Sequence, residues 1–320
     1  MRVLVAGGAG YIGSVVTRRL LRAGYGVTVL DCLLFGDEGV AELAGQDGYR
    51  LFAGDLLDRE LLREAMAGSR AVVLLAGIVG EPACNRAPET ARAVNFRGAL
   101  QTLEVAREVG VERFVFASTC SNYGISDPSG LATESSPLRP LSVYAETKVA
   151  AEREILAASG PAFCPVVLRF STAFGVSPRM RFDLLISDFT LSAFREGRIV
   201  IFGEQFWRPF VHVEDIAAAV GLVLEAPARC ACGEVFNIGS NVSNLRKIDV
   251  ARAVQREIPG TTLEFVEQGT DPRSYRVDFT KAAEQLGFNA TRTVADGVRE
   301  VAAGLRAGAW PDPGSAKYRN

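Results

Sequence analysis

A short apolar run at residues 3–6 passes straight into glycines at positions 7, 10 and 13, and a helix-period stretch at 14–23 comes next at once. This junction constrains the fold more than any other segment. Glycine at Gly7, Gly10 and Gly13 lets the backbone turn sharply off a strand end. It also lets a pyrophosphate approach amides at the helix N-terminus, where the dipole favours an anion. Alone, a GxxGxxG spacing is weak evidence. Here it lies in a complete strand–loop–helix–strand unit, and Asp31 closes the second apolar run at 26–30. A carboxylate there accepts hydrogen bonds from the adenosine ribose and repels a 2′-phosphate, so the segment predicts a dinucleotide site that takes NAD rather than NADP. Asp55, in Gly54-Asp55-Leu56, faces the adenine on this reading; taken by itself it would cap the next helix.

Strand-like runs at 3–6, 26–30, 71–75, 113–118 and 165–170 alternate with helical patterns at 14–23, 59–66, 88–109 and 144–158. The alternation predicts an α/β fold, a doubly wound parallel sheet of the Rossmann type joined by right-handed crossovers. After Phe170 the rhythm loosens into a Pro/Gly/Arg loop at 175–181, a further helix, and strands near 199–202 and 234–238. The expected division is an NAD-binding domain over 1–170 and a smaller C-terminal α/β substrate-binding lobe over 171–320. That lobe is interrupted: about 207–240 is expected to belong with the NAD-binding domain, because the helix at 213–224 and the strand at Val235 read as additions to the first sheet.

Lys and Arg number 35 against 37 Asp and Glu, a formal net charge of −2. The basic excess that phosphate-backbone binding produces is missing, so no nucleic-acid partner is expected. The opening residues are too brief and wrongly flanked for a secretory segment, and no apolar run is long enough to span a bilayer. No membrane contact and a cytoplasmic location are expected. Six cysteines and a single histidine, His212, lack zinc-ligand spacing, so no metal is expected. Cys230 and Cys232 could bind a soft metal or form a redox couple, but incidental loop thiols are the favoured reading. His212, within Phe-Val-His-Val, reads as a packed, hydrogen-bonded residue.

Tyr144 and Lys148 stand four apart, on one face of a helix. An ammonium beside a phenol stabilises the phenolate, as does the positive end of the helix, so Tyr144 becomes usable as an acid or base near neutral pH. Just upstream, 113–118 forms a strand whose carboxyl end reaches the cleft where doubly wound sheets bind ligands. Thr119 there can offer its hydroxyl to the same substrate oxygen as Tyr144, while pleating turns Ser118 toward the packing.

In order along the chain, GGAGYIG at 7–13, Asp31, Asp55-Leu56, Leu75-Ala76-Gly77, Asn95, the run from Ser118 to Gly124, Tyr144 with Lys148, and the run from Arg208 to Asp215 resemble the extended short-chain dehydrogenase/reductases. More narrowly, they are similar to the NAD-dependent sugar-nucleotide epimerase/dehydratase family, over residue 1 to about Val298. The resemblance implies that Gly7, Gly10, Tyr11, Ile12, Gly13, Asp31, Asp55, Leu56, Leu75, Ala76, Gly77, Asn95, Tyr144 and Lys148 hold NAD. It implies that Thr119, Tyr144 and Lys148 are catalytic, Tyr144 taking a proton from a sugar hydroxyl while a hydride passes to NAD. A nucleotide-diphosphate sugar would lie against Val79, Thr119, Ser121 and Thr172, with Ile201 and Phe202 around the base and Arg208 on a phosphate. Arg208 also reads as a surface residue.

Departures from the family pattern matter. Thr172 stands where relatives of the galactose-epimerase type carry an Asn that contacts the diphosphate. Gln268 replaces a later phosphate-binding Arg, a role open to Arg273 or Arg276 near Asp271-Pro272, though either also reads as a surface charge. The 4,6-dehydratases place Asp-Glu directly after the catalytic Thr, and here those positions are Cys120 and Ser121, which disfavours dehydration. Cys120 is a candidate catalytic thiol at the sugar face, with a small packing residue as the favoured alternative. Arg179 and Arg181 make 177–183 cationic, fit either to bind a phosphate or substrate carboxylate or to lie in solvent. The leading expectation is an NAD-dependent epimerase, acting at C4 through a transient keto sugar. An NAD(H)-dependent reductase or oxidase is the nearest alternative; a dehydratase and a non-catalytic NAD-sensing protein rank lower. By family resemblance the protein pairs as a homodimer through helices in 88–109 and 144–158.

Overall fold

The computed structural model describes residues 1–125, 130–267 and 273–320. The apolar runs of the first half form β1 (Arg2–Ala6), β2 (Gly26–Asp31), β3 (Tyr49–Ala53), β4 (Ala71–Leu74), β5 (Arg113–Thr119) and β6 (Cys164–Phe170). Then come β7 (Thr172–Phe174), β8 (Arg198–Phe202), β9 (Trp207–His212), β10 (Glu234–Ile238), β11 (Asn244–Arg246) and β12 (Thr262–Val266). Seven of these make one parallel sheet in the order β10-β6-β5-β4-β1-β2-β3. The order reverses at β1, with β2 and β3 on one side and β4 onward on the other, which opens a crevice beyond the carboxyl ends of β1 and β4.

Both faces of the sheet are covered, which is why its strands read as near-continuous apolar runs. Alternate residues such as Val3, Val5, Val29, Val73 and Val166 pack on one side under the helices Tyr11–Arg22 and Val213–Glu225. Leu4, Val72, Leu74, Phe114 and Phe116 pack on the other, under the helices Arg59–Met66, Ala99–Glu108 and Val143–Ala157. β3 escapes the sequence pattern because it is the edge strand, with Arg50, Leu51 and Ala53 exposed.

The single helix expected over 88–109 is three pieces: Pro88–Arg92, a π-helical turn Ala93–Gly98, and Ala99–Glu108. π-helical turns occur often at functional sites, and this one carries Asn95. The second lobe begins directly after β6. β7 pairs in parallel with β9, which pairs antiparallel with β11, while β8 and β12 form a separate parallel pair. Helices Leu185–Glu196, Lys247–Glu257 and Val294–Arg306 close a third core around Ile199, Ile201 and Phe210. The pieces of 207–240, the stretch expected to belong with the NAD-binding domain, lie in different sheets. β10 does extend the first sheet, and Val213–Glu225 packs on Tyr11–Arg22, but β9 pairs with β7 and β11 in the small sheet.

Candidate active site

At the glycine junction the chain is tight on two sides and open on the third. Gly7 has φ +84°, and a Cβ there would lie 2.6 Å from the Ala76 nitrogen; a Cβ on Gly13 would lie 2.0 Å from the Gly7 carbonyl oxygen. At Gly10 the nearest atom to such a Cβ is 3.4 Å away. Gly7 and Gly13 therefore let strand, loop and helix meet, and Gly10 leaves the helix N-terminus approachable by a phosphate. The Leu75 and Ala76 amides both donate to the Ala6 carbonyl, at 2.9 and 2.8 Å, and tie the end of β4 to this loop. Ile12 packs against the core below.

Asp31 ends β2 with its two carboxylate oxygens accepting from the Ala9 and Leu33 amides, each at 2.9 Å. Burial raises its pKa, against the pull of those amides and of Arg179. The Gly54 amide donates to the Asp31 carbonyl, which sets Asp55 beside the same strand end. Asp55 is exposed and accepts from the Leu57 amide, while Leu56 is buried. The cap of the next helix is Asp58, which accepts from the Glu60 and Leu61 amides.

On the other side of the crevice, Lys148 is 2% exposed. Its Nζ donates to the Ala117 carbonyl at 2.9 Å and lies 5.9 Å from the centre of the Tyr144 ring. Burial lowers its pKa to about 8, against the opposing charge of Glu152 one helical turn on. Burial pushes the Tyr144 phenol above its usual range, while the Arg181 charge and a hydrogen bond with Thr119 pull it back. Thr119 and Arg181 thus both act on Tyr144. A Cβ on Gly77 would sit 2.9 Å from Asn95 Oδ1 and 3.7 Å from Lys148 Nζ, so glycine is what lets these groups converge. Asn95 clamps the loop by accepting from the Ile78 amide at 2.8 Å and donating to the Ile78 carbonyl at 3.0 Å, with half-buried Val79 next in line.

Several expected contacts are placed elsewhere. The Tyr11 hydroxyl donates to the Gly175 carbonyl at 2.7 Å, and Ser177 Oγ donates to the Tyr11 carbonyl at 2.7 Å. The Tyr11 side chain thereby ties the first helix to the 175–177 loop. Cys120 is fully buried, donates to the Arg169 carbonyl at 3.2 Å and has its pKa pushed up to about 12 by burial. A protonated thiol turned into β6 is a packing group, which corrects its candidacy as a catalytic thiol. Ile201 lies in the second-lobe core, because alternation along β8 turns it inward while Phe202 is exposed. Arg179, expected either to bind a phosphate or substrate carboxylate or to lie in solvent, is buried: it stacks 4.0 Å from the Phe35 ring centre and donates to the Arg319 carbonyl at 3.1 Å, at the Asp31 end of the crevice. Burial and the Arg181 charge lower its pKa to about 10.

Arg181 is held by Asp183 in a two-point pair, 3.0 and 2.7 Å. Ser121 Oγ lies 3.2 Å from the hydroxyl of Tyr275, whose ring centre is 5.4 Å from the guanidinium of buried Arg208. The Arg208 guanidinium also donates to the Trp207 and Arg273 carbonyls. Arg276 stacks on the Trp207 ring, and Thr172 is half buried where β7 meets β9. Gln268 and the Asp271-Pro272 pair lie outside the described residues.

Sequence reasoning missed Tyr275 and a buried network beneath Thr119. Glu152 accepts from Arg169 Nη2 at 2.7 Å, from Arg169 Nε at 3.1 and 3.2 Å, from Asn122 at 2.8 Å and from Ser118. Arg169 continues to the Tyr123 hydroxyl at 3.0 Å, which donates to Asn237 at 2.7 Å. The one signal for it is Glu152 itself, an acidic residue in register with Lys148 on the inward face of its helix. His212 packs edge-on against Phe174, with Nε2 2.8 Å from Glu300. Among the described residues, no group of three or more His, Cys, Asp or Glu side chains could hold a metal, and no helix is long and apolar enough to cross a membrane.

A glycine-rich helix start, an acidic β2 end and a Thr–Tyr–Lys set across one crevice define a nicotinamide-dinucleotide-dependent enzyme of the short-chain type. The chain belongs to the NAD dependent epimerase/dehydratase family, whose model matches residues 3–239. Its cofactor is NAD, and the open Gly10 face, the helix start and Asp31 fit it. Similar proteins include a dTDP-glucose 4,6-dehydratase from Streptomyces niveus, 32% identical over 98% of this chain and 95% of that protein. A UDP-glucose 4-epimerase from Lactobacillus helveticus is 30% identical over 90% and 92%. A dTDP-glucose 4,6-dehydratase from Streptomyces venezuelae, solved with NAD bound, superposes with a TM-score of 0.86 at 28% identity, covering 97% of this chain and 98% of that one.

Proposed function

We propose that the protein is an epimerase of a nucleotide-diphosphate sugar, acting at C4 through a transient keto sugar. The observation that carries this reading lies at the two positions next to Thr119. Removing water from a sugar needs an acid and a base beyond the tyrosine. Position 120 holds a buried, protonated thiol turned away into β6, and position 121 a hydroxyl engaged with Tyr275. Neither supplies that second pair, whereas oxidation and re-reduction at one carbon need only the set present.

In this mechanism Thr119 and Tyr144 hold the C4 hydroxyl from one side. Lys148, charged below about pH 8, stabilises the phenolate that Tyr144 presents, and Tyr144 takes the hydroxyl proton. NAD supplies the hydride acceptor and donor. The keto sugar then turns within the crevice, Tyr144 returns its proton to the oxygen, and the opposite C4 configuration leaves. Arg208, Arg276 and Thr172 of the second lobe retain the diphosphate while the sugar turns, and Arg181 lines the sugar side next to Tyr144. The active unit on this reading is a homodimer joined through the helices Ala99–Glu108 and Val143–Ala157.

The test is incubation with UDP-, dTDP-, GDP-, CDP- and ADP-sugars, with and without added NAD or NADH, monitored by NMR of the sugar and absorbance of NADH. Interconversion of two C4 epimers without net NADH change supports the proposal. Stoichiometric NADH change assigns a reductase or oxidase instead, and a 4-keto-6-deoxy product assigns a dehydratase.

A further inference from the structure

Cys230 and Cys232 stand out in the sequence by their spacing, but the fold gives Cys232 a different partner. β10 pairs with β6 in the register Glu234 to Val166, and the Gly233 amide carries the ladder one step further by donating to the Pro165 carbonyl at 2.8 Å. The next residue back, Cys232, therefore stands opposite Cys164, the first residue of β6. Neighbouring parallel strands lie about 4.8 Å apart, inside the roughly 4.4–6.8 Å Cα separation that a disulfide spans. Cys232 packs against the same core cluster as Cys164, and its Sγ reaches the Phe163 carbonyl at 3.9 Å. Both thiols are free, Cys164 buried and Cys232 partly exposed.

We propose that Cys164 and Cys232 are an oxidative modification site, a dithiol that a peroxide converts to a disulfide joining β6 to β10. The peroxide transfers one oxygen to the more exposed Cys232 sulfur, giving a sulfenic acid and one water. Cys164 then attacks that sulfur; the S–O bond breaks, the S–S bond forms, and the hydroxyl leaves with the thiol proton as a second water. Two thiols and one hydrogen peroxide thus yield one disulfide and two waters. Burial, with the hydrogen bond to Cys232, pushes the Cys164 thiol up to about 12, while the Arg113 guanidinium favours its thiolate.

The bond would close a loop of about 70 residues that holds β7, β8, β9 and Val213–Glu225, so it constrains the unfolded chain strongly. Cys164 pairs with Arg113 at one end of β5, and Phe170 pairs with Thr119 at the other. At about 3.3 Å per residue the two ends lie roughly 20 Å apart. The cross-link therefore raises stability without reaching the crevice.

The experiment treats the NAD-loaded protein with stoichiometric hydrogen peroxide, counts alkylatable thiols before and after, and maps the non-reduced peptides by mass spectrometry. The expected result is the loss of two thiols, a linked peptide pair containing Cys164 and Cys232, and a Tm higher by about 5 °C or more that dithiothreitol reverses. The linked pair should persist in Cys230→Ser and disappear in Cys232→Ser, with NAD affinity unchanged within about two-fold. A Cys230–Cys232 link, or stable sulfinic acid at Cys232 with Cys164 still alkylatable, would overturn the proposal. The wild-type peptide map decides between these outcomes even where a serine variant fails to fold.

Discussion

Replacing Arg169 with Met removes the cation from beneath the carboxyl end of β5 while keeping most of the side-chain volume. Burial works against the Arg169 charge, but the hydrogen bonds and charge of Glu152 hold its pKa above the usual arginine value. The two side chains are only 5% and 2% exposed, so neither charge has water to fall back on. In the variant, Glu152 keeps the Ser118 and Asn122 donors but loses every contact to the guanidinium. Stranding one partner of a buried pair costs about 3–5 kcal/mol. With an m-value near 3 kcal/mol/M for a chain of this size, the urea midpoint should fall by about 1–1.7 M, read by tryptophan fluorescence. Removing the stranded charge as well, in Arg169→Met/Glu152→Leu, should recover a substantial part of that loss. A single variant within about 1 kcal/mol of the native protein, or a double variant no more stable than the single one, would refute the reasoning.

Tyr144→Phe removes the proposed acid/base and should lower kcat on the cognate sugar nucleotide by about 10²–10⁴-fold, with NAD affinity by titration changed little. Cys120→Ala should leave kcat within about three-fold, since the buried thiol only packs; a hundred-fold loss would restore Cys120 as a participant. Lys148 has a folded pKa of about 8, below its ordinary value of 10.5, so between those limits the unfolded chain binds more protons and stability rises with pH. Relative to Lys148→Met, the native protein should therefore gain up to about 3 kcal/mol between pH 8 and 10.5 in urea unfolding, a gain lost again as pH falls through 8.

The parts of the fold and site that local spacing encodes are readable in the sequence. Gly7, Gly10 and Gly13 mark their turn by position alone, and Tyr144 with Lys148 shares a helix face by a spacing of four. The features that escape depend on pairings distant in the chain. Tyr275 reaches Ser121 across 154 residues and Tyr123 reaches Asn237 across 114, with no local periodicity to announce either contact. Arg179 and Arg181 are two apart in one cationic loop, yet one meets Phe35 at the Asp31 end and the other acts on Tyr144. Composition cannot separate them. Ile201 and Phe202 read together as a base platform, although strand alternation must send one inward. The π turn at Ala93–Gly98 goes unread because the change from i→i+4 to i→i+5 bonding is set by backbone geometry and no proline interrupts the run.

In the proposed reaction one hydride leaves C4 and returns to C4 inside the same crevice. This is tested most directly with the cognate nucleotide sugar carrying deuterium at C4, turned over in ordinary water and analysed by NMR and mass spectrometry. Retention of the label at C4 of the inverted product, with the same reaction in D₂O placing no deuterium on carbon, is the predicted result. Loss of the C4 label to solvent, or entry of solvent deuterium at C5 with loss of the 6-hydroxyl, would contradict it.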